Sequence, residues 1–173
     1  NVLGSRGSVI PIFKNQIMNS SPVTLTDENM TRFVMTVKEA VSLVLKSVFI
    51  AKGGEVFVTK MPVIKISDLA EVMIQVLSNK LKTNPKEIKI EKVGSKPGEK
   101  MYEELMNEEE VRRTIELENF YAVLPAFRGI YKDIHHDYDE IVSKSISQPY
   151  NSHVETIISK NELKSYLIKN QII

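Results

Sequence analysis

The sequence predicts an α/β fold, and three observations carry that prediction. Strand-like runs alternate with helical periods of about 10 to 15 residues. Two of the helices open on capping boxes, Thr36-Val37-Lys38-Glu39 and Ser159-Lys160-Asn161-Glu162, in which hydroxyl and carboxylate satisfy reciprocal backbone donors. The apolar and charged fractions, 42% and 26%, suit a chain with a packed core, and at 173 residues roughly 70% of the unfolded surface can be buried. The strands are few and unevenly spaced, which fits part of a larger fold.

Taken in order, Ser8 to Met18 reads as a short helix, capped near Ser8 with Pro11 in its first turn and preceded by the loop Gly4-Ser5-Arg6-Gly7. Val23 to Thr26 and Arg32 to Met35 are brief extended stretches, separated by the turn-prone Asp27-Glu28-Asn29. The helix opened by Thr36 carries Val41, Val44, Leu45 and Val48, and Gly53-Gly54 should end it. Glu55 to Thr59 reads as a strand, and Ser67 as the cap of a helix carrying Leu69, Val72, Met73, Val76, Leu77 and Leu81, stopped by Asn84-Pro85. Glu87 to Glu91 alternates as a half-buried strand, and a tight Gly94–Lys100 segment follows. A short helix is expected over Tyr102–Met106 and a strand over Asn119–Leu124. Loop is expected from Pro125 to Gln148, then the terminal helix with Leu163, Tyr166, Leu167 and Ile168.

Twenty-three basic against 22 acidic residues leave a net charge of +1, so no global field favours nucleic acid or an anionic membrane. Cysteine is absent, which removes disulfide and thiolate chemistry and fits a reducing cytoplasm. No apolar run approaches the ~20 residues of a membrane helix, and the first residues have no secretory pattern. The chain starts at Asn1 with a segment suited to the end of a buried strand, and is expected to be a piece of a longer protein.

Three places can hold an anion or a hydroxylated ligand, each with a plainer alternative. Gly4-Ser5-Arg6-Gly7-Ser8 leads into a helix start, where free N–H groups and the helix dipole favour an anion; a capped surface loop fits equally. Met30-Thr31-Arg32-Phe33 sets a guanidinium among apolar neighbours, able to fork onto a phosphate or to pair with a structural carboxylate. Lys96-Pro97-Gly98-Glu99-Lys100 is a turn presenting a cation and, three residues on, a carboxylate that can accept two ribose hydroxyls; it also reads as a charged surface turn. His135-His136-Asp137 has metal-ligand chemistry but adjacent ligands in an aromatic, acidic loop, so a solvated loop is the favoured reading. Glu108–Glu110 with Arg112 and Arg113 is read as a solvated helix face. Neither a nucleophile elbow nor a Gly-rich dinucleotide fingerprint after a strand is present.

Read together, residues 1–13, Leu25-Thr26-Asp27, Met30-Thr31-Arg32-Phe33 and Lys96-Pro97-Gly98-Glu99-Lys100 resemble, in that order, the second half of the inverting UDP-N-acetylglucosamine 4,6-dehydratases. Gly53–Val58, Lys65–Ala70 and Tyr150-Asn151-Ser152-His153 extend the likeness over nearly the whole chain. The resemblance implies the C-terminal part of an extended short-chain dehydrogenase/reductase (Rossmann-like) fold, mostly its substrate-binding subdomain. Residues 1–124 would be that subdomain with the last Rossmann elements, and 125–173 a loop and helix extension. It further implies transient oxidation at sugar C4, loss of water across C5 and C6, and return of hydride to C6 with inversion at C5. The product would be a UDP-4-keto-6-deoxy sugar for surface glycans, as on the route to pseudaminic acid. Bound NAD or NADP would serve the full-length enzyme, with none held by this chain alone; a homo-oligomer is implied.

By the same resemblance Asn1 approaches the substrate and Arg32 contacts the diphosphate. Arg6, Ser8 and Val9 lie in a loop over the nucleotide, and Lys96 and Glu99 contact phosphate and ribose. Lys96 stands where the family has Arg, keeping charge but losing the fork. The family's Tyr-x-x-x-Lys pair and cofactor loop precede the matched region, so no catalytic residue is expected here. A related 4-epimerase and a non-catalytic sugar-nucleotide-binding or assembly module are the alternatives.

Overall fold

A computed structural model describes residues 1–173 except Lys96, Arg128, Ile130, Tyr131 and Lys132. Its first half is built around helix α3 (Ile66–Leu81), on which Leu69, Ala70 and Met73 are fully buried. Helix α1 (Val9–Met18) packs on it through Ile10, Phe13 and Ile17, a helical-period stripe, and helix α5 (Lys160–Lys169) through Leu163 and Leu167. Strand β1 (Val23–Leu25) adds Val23 and Leu25 to this core and pairs in parallel with β5 (Ile90–Lys92), Thr24 opposite Glu91. Strand β2 (Thr31–Phe33) pairs antiparallel with β4 (Val63–Lys65), Arg32 opposite Ile64.

The second half is an antiparallel sheet in the order β3 (Val56–Thr59), β8 (Phe120–Val123), β7 (Thr114–Leu117) and β9 (Ile141–Ser143). A ribbon of β6 (Glu104–Met106) with β10 (Tyr150–Asn151) joins it to β2 through a second core of Phe33, Val63, Met106, Val123 and Tyr150. The mixture of parallel and antiparallel pairing is the expected α/β class. The strands from 125–173 pair with those before residue 125, β9 with β7 and β10 with β6.

Both predicted capping boxes form, Thr36 at helix α2 (Val37–Ile50) and Ser159 at α5. Helix α2 buries no residue: Val37, Val41, Val44, Leu45, Val48 and Phe49 are all exposed, an apolar stripe with no cover among the described residues. Helix α4 (Glu108–Val111) is a solvated turn, with Arg113 paired to Glu109 at 3.1 Å.

Several expectations are corrected. The helix expected over Tyr102–Met106 is instead extended into β6, because pairing with β10 buries Met106 whereas a lone turn there would not. Ser67 is not the cap of α3, which starts one residue earlier; its hydroxyl donates to the Glu28 carbonyl at 2.9 Å. The strand expected at 87–91 is displaced to 90–92 by a 3-10 turn at Pro85–Glu87, which Asn84 caps. Strand β9 interrupts the predicted 125–148 loop, and β4 and β7 were not anticipated.

Candidate functional site

The opening segment runs beside the end of β2: the Leu3 amide donates to the Met35 carbonyl at 2.8 Å and the Met35 amide to the Asn1 carbonyl at 2.9 Å. This fixes Asn1 next to Phe33. The chain then turns through Gly4 and Gly7, with φ of +79° and +75°, a left-handed conformation that costs a side-chain-bearing residue roughly 1 kcal/mol or more. The second of these turns delivers Ser8 to the start of α1. Ser8 occupies the N-cap position with extended backbone, yet its hydroxyl makes no capping bond. That oxygen is enclosed and has no hydrogen-bond partner among the described residues, an arrangement that normally awaits a donor or acceptor. Pro11 has no N–H, so Val9 and Ile10 provide the free amides of the first turn.

In β2 the side chains alternate, Thr31 and Phe33 inward and Arg32 half-buried on the opposite side. The Arg32 guanidinium donates to the carbonyls of Thr31 at 2.7 Å, Lys100 at 2.5 Å and Met101 at 3.3 Å. These bonds use three of the five guanidinium N–H groups and hold its plane in place, leaving two for an anion. Glu99 is exposed and accepts a hydrogen bond from the Thr26 hydroxyl at 3.0 Å, which ties the Pro97-Gly98 turn to the end of β1.

One cleft of about 260 Å³ lies between these pieces. Its floor is the top of the first core, with Ile10, Phe13, Leu25, Met30, Ile64 and Leu69, and its rim carries Asn1, Ser8, Thr26, Arg32 and Glu99. Val9 also lines it, and Arg6 is exposed and does not. Lys96 lies outside the described residues. An apolar floor with backbone amides, a guanidinium, hydroxyls and a carboxylate at the rim suits a ligand with an anionic centre flanked by hydroxylated groups.

Two residues that do not line the cleft but bond to Asn1 and to β2 were given no site role by the sequence. Glu103 accepts Asn1 Nδ2 on both carboxylate oxygens, at 2.9 Å each, and the Phe33 amide at 3.0 Å. Ser152, fully buried, bonds Thr31 and the Glu103 backbone. Glu103 was hidden inside a mistaken helix, and no local signal could have tied Ser152 to Thr31, since that contact spans 121 residues.

The His135-His136-Asp137 loop is fastened to the turn after α2: His136 Nε2 is 3.0 Å from the Gly53 carbonyl and 3.4 Å from the buried Glu55 carboxylate. Burial works against the Glu55 anion, but donation from the Lys52 and Gly53 amides and the nearby His136 outweigh it, holding the carboxyl below its usual range. Among the described residues no group of three His, Cys, Asp or Glu side chains is placed to hold a metal. Among them, too, no helix is long and apolar enough to cross a membrane.

Residues 1–125 match the model of a family described as polysaccharide biosynthesis proteins. The chain belongs to that family. Over 125 residues, 72% of the chain, it is 52% identical to an uncharacterized membrane protein of Methanocaldococcus jannaschii, 38% of which is covered. It is 37% identical over 134 residues to a UDP-N-acetylglucosamine 4,6-dehydratase (inverting) of Campylobacter jejuni, covering 77% of the chain and 37% of the relative. A UDP-glucose 4-epimerase of Rickettsia felis is 32% identical over 97% of the chain and 47% of its own length. A crystal structure of Pen from Bacillus thuringiensis superimposes on the whole chain with a TM-score of 0.86 and 40% identity, 48% of that protein being covered. The chain therefore spans less than half the length of these relatives, and its fold is consistent with part of a short-chain dehydrogenase/reductase architecture.

Proposed function

We propose that the polypeptide carrying this chain is an inverting UDP-N-acetylglucosamine 4,6-dehydratase of surface polysaccharide synthesis, and that this chain supplies its sugar-nucleotide cleft. The supporting observation is the single cleft shared by Asn1, Ser8, Arg32 and Glu99, three separated sequence motifs. In this reading the diphosphate lies between the first turn of α1 and the two remaining Arg32 donors, where helix dipole and guanidinium act on the same charge. Glu99, held by Thr26, accepts the ribose hydroxyls, and Asn1 faces the sugar.

The chain's own part is binding and orientation. In this reading NAD or NADP supplies hydride chemistry when bound to the complete protein, and the glycine loop Gly4–Ser8, which opens a helix beside the cleft, serves the UDP-sugar. A homo-oligomer working in the cytoplasm is part of the same proposal.

The second reading, a 4-epimerase, is favoured by the epimerase relative that aligns over nearly all of the chain. Incubating the full-length protein with UDP-N-acetylglucosamine and identifying the product decides between them. A 4-keto-6-deoxy sugar is expected; recovery of the C4 epimer selects the rival, and absence of UDP-sugar binding removes both.

A further inference from the structure

We propose that Glu103 and Ser152 are positioning residues of the nucleotide-sugar cleft, so that the segment around Ser152, beyond the part matched by the family model, belongs to the binding site. The proposal rests on the functional reading above. It concerns residues to which the sequence assigned no site role and that act through Asn1 and Arg32.

The Ser152 hydroxyl has its full set of partners. It accepts from the Glu103 amide at 2.9 Å, lies 3.0 Å from the Thr31 hydroxyl and donates to the Thr31 carbonyl at 3.3 Å. One donor and two acceptor positions are all that a hydroxyl has, and here Thr31 Oγ1 serves as the second donor. The Ser152 amide returns a bond to the Glu103 carbonyl at 2.8 Å. Ser152 is 0% exposed and Thr31 3%, so water cannot replace these bonds cheaply. The hydroxyl thereby locks β2 to the 100–103 segment. Arg32 lies between the two: it follows Thr31 in the strand, and its guanidinium caps the Lys100 and Met101 carbonyls.

Glu103 passes this order on to Asn1. With both carboxylate oxygens 2.9 Å from Asn1 Nδ2, and the Phe33 carbonyl 2.8 Å from the same nitrogen, the Asn1 amide has one orientation, its NH2 turned to protein acceptors. What Asn1 offers a ligand is then its carbonyl oxygen, an acceptor. It selects a hydroxyl or amide N–H donor on the sugar and disfavours a second acceptor there.

The test uses the full-length protein with UDP-N-acetylglucosamine and, separately, UDP as calorimetric probes, thermal unfolding being recorded for each variant. Ser152→Ala should weaken both ligands about tenfold, since both Asn1 and Arg32 lose their alignment. Glu103→Gln, at a half-exposed position that does not threaten folding, should weaken UDP-N-acetylglucosamine by about tenfold and UDP by less than threefold, because a Gln amide competes with Asn1 for orientation. A merely structural role for Ser152 would lower the thermal midpoint while leaving both affinities unchanged well below it, and one for Glu103 would weaken both probes equally. If Ser152→Ala does not fold, Glu103→Gln decides alone. Wild-type protein that binds both ligands, with a Glu103→Gln variant that binds them as well as wild type or loses them equally, overturns this proposal alone. Wild-type protein that binds neither overturns the functional reading and this proposal with it.

Discussion

Replacing Arg32 separates what the guanidinium does for the fold from what it does for a ligand. In Arg32→Ala three carbonyls lose a donor. The Thr31 carbonyl still receives the Ser152 hydroxyl, and those of Lys100 and Met101 belong to exposed residues that water can serve. The stability loss should therefore stay near a single net hydrogen bond, about 1 kcal/mol. The affinity loss should be larger. A diphosphate in the cleft would take the two remaining N–H groups, and hydrogen bonds to charged groups are worth about 1.5–3 kcal/mol, or roughly 10- to 150-fold in Kd. Arg32→Lys should recover only part of it, because an ammonium keeps the charge but cannot fork while also holding the 100–101 carbonyls. Titration calorimetry of UDP-N-acetylglucosamine on the full-length protein, beside urea unfolding of the same variants, reads both quantities. Unchanged affinity in Arg32→Ala, or a loss of affinity no larger than the loss of stability, would refute the assignment of Arg32 to the diphosphate.

Other expectations concern stability. Tyr150→Phe keeps the ring against Phe33 and Tyr121, at 4.5 and 5.0 Å, but strands the Met61 amide, whose bond to the hydroxyl is 2.7 Å; urea unfolding should show a loss of about 1–3 kcal/mol. Burial pushes that phenol up to about 12, partly offset by donation from Met61, so its absorbance should show no phenolate below pH 10. Thr36→Ala removes the capping hydroxyl of α2 and should cost about 1–2 kcal/mol, while Thr36→Ser stays near wild type. Burial raises the Glu155 carboxyl above its ordinary 4.5, so its contribution to stability is complete below that value and is lost as pH rises through the folded pKa. Glu155→Gln should then be the more stable protein at pH 7, and the two unfolding curves should converge below about pH 4.

Features written in local chemistry were legible in the sequence. Both capping boxes, the helices α1, α3 and α5, and strands β1, β3 and β8 follow from periodicity or from side chains a few residues apart. Strands β4, β6 and β7 were not legible because their extended state comes from partners distant in the chain: β6 exists by pairing with Tyr150-Asn151, and no three- or four-residue run announces such a partner. The cleft divides the same way. Asn1, Ser8, Arg32 and Glu99 lie in motifs whose chemistry can be read in place, whereas Glu103, and the bonding of Thr26 and Ser152 within stretches that carried only the family likeness, matter through contacts spanning 49 to 121 residues. The apolar period of α2 was legible, but its exposure was not, since a period alone does not say what covers Val44, Leu45, Val48 and Phe49, all exposed here.

The Glu39 carboxylate that closes the Thr36 box also receives the Tyr166 hydroxyl, at 2.5 Å, from helix α5. The tail of the chain is thus a latch on the start of a helix 127 positions upstream, itself anchored by Leu163 and Leu167 and by Lys160 bridging Asp68 and Glu71. Trimming at residue 159 would do more than shorten an appendage. It would bare the back of α3 and withdraw a donor from the far cap together, so amide exchange at Ala40 should quicken in step with loss of the tail rather than independently of it.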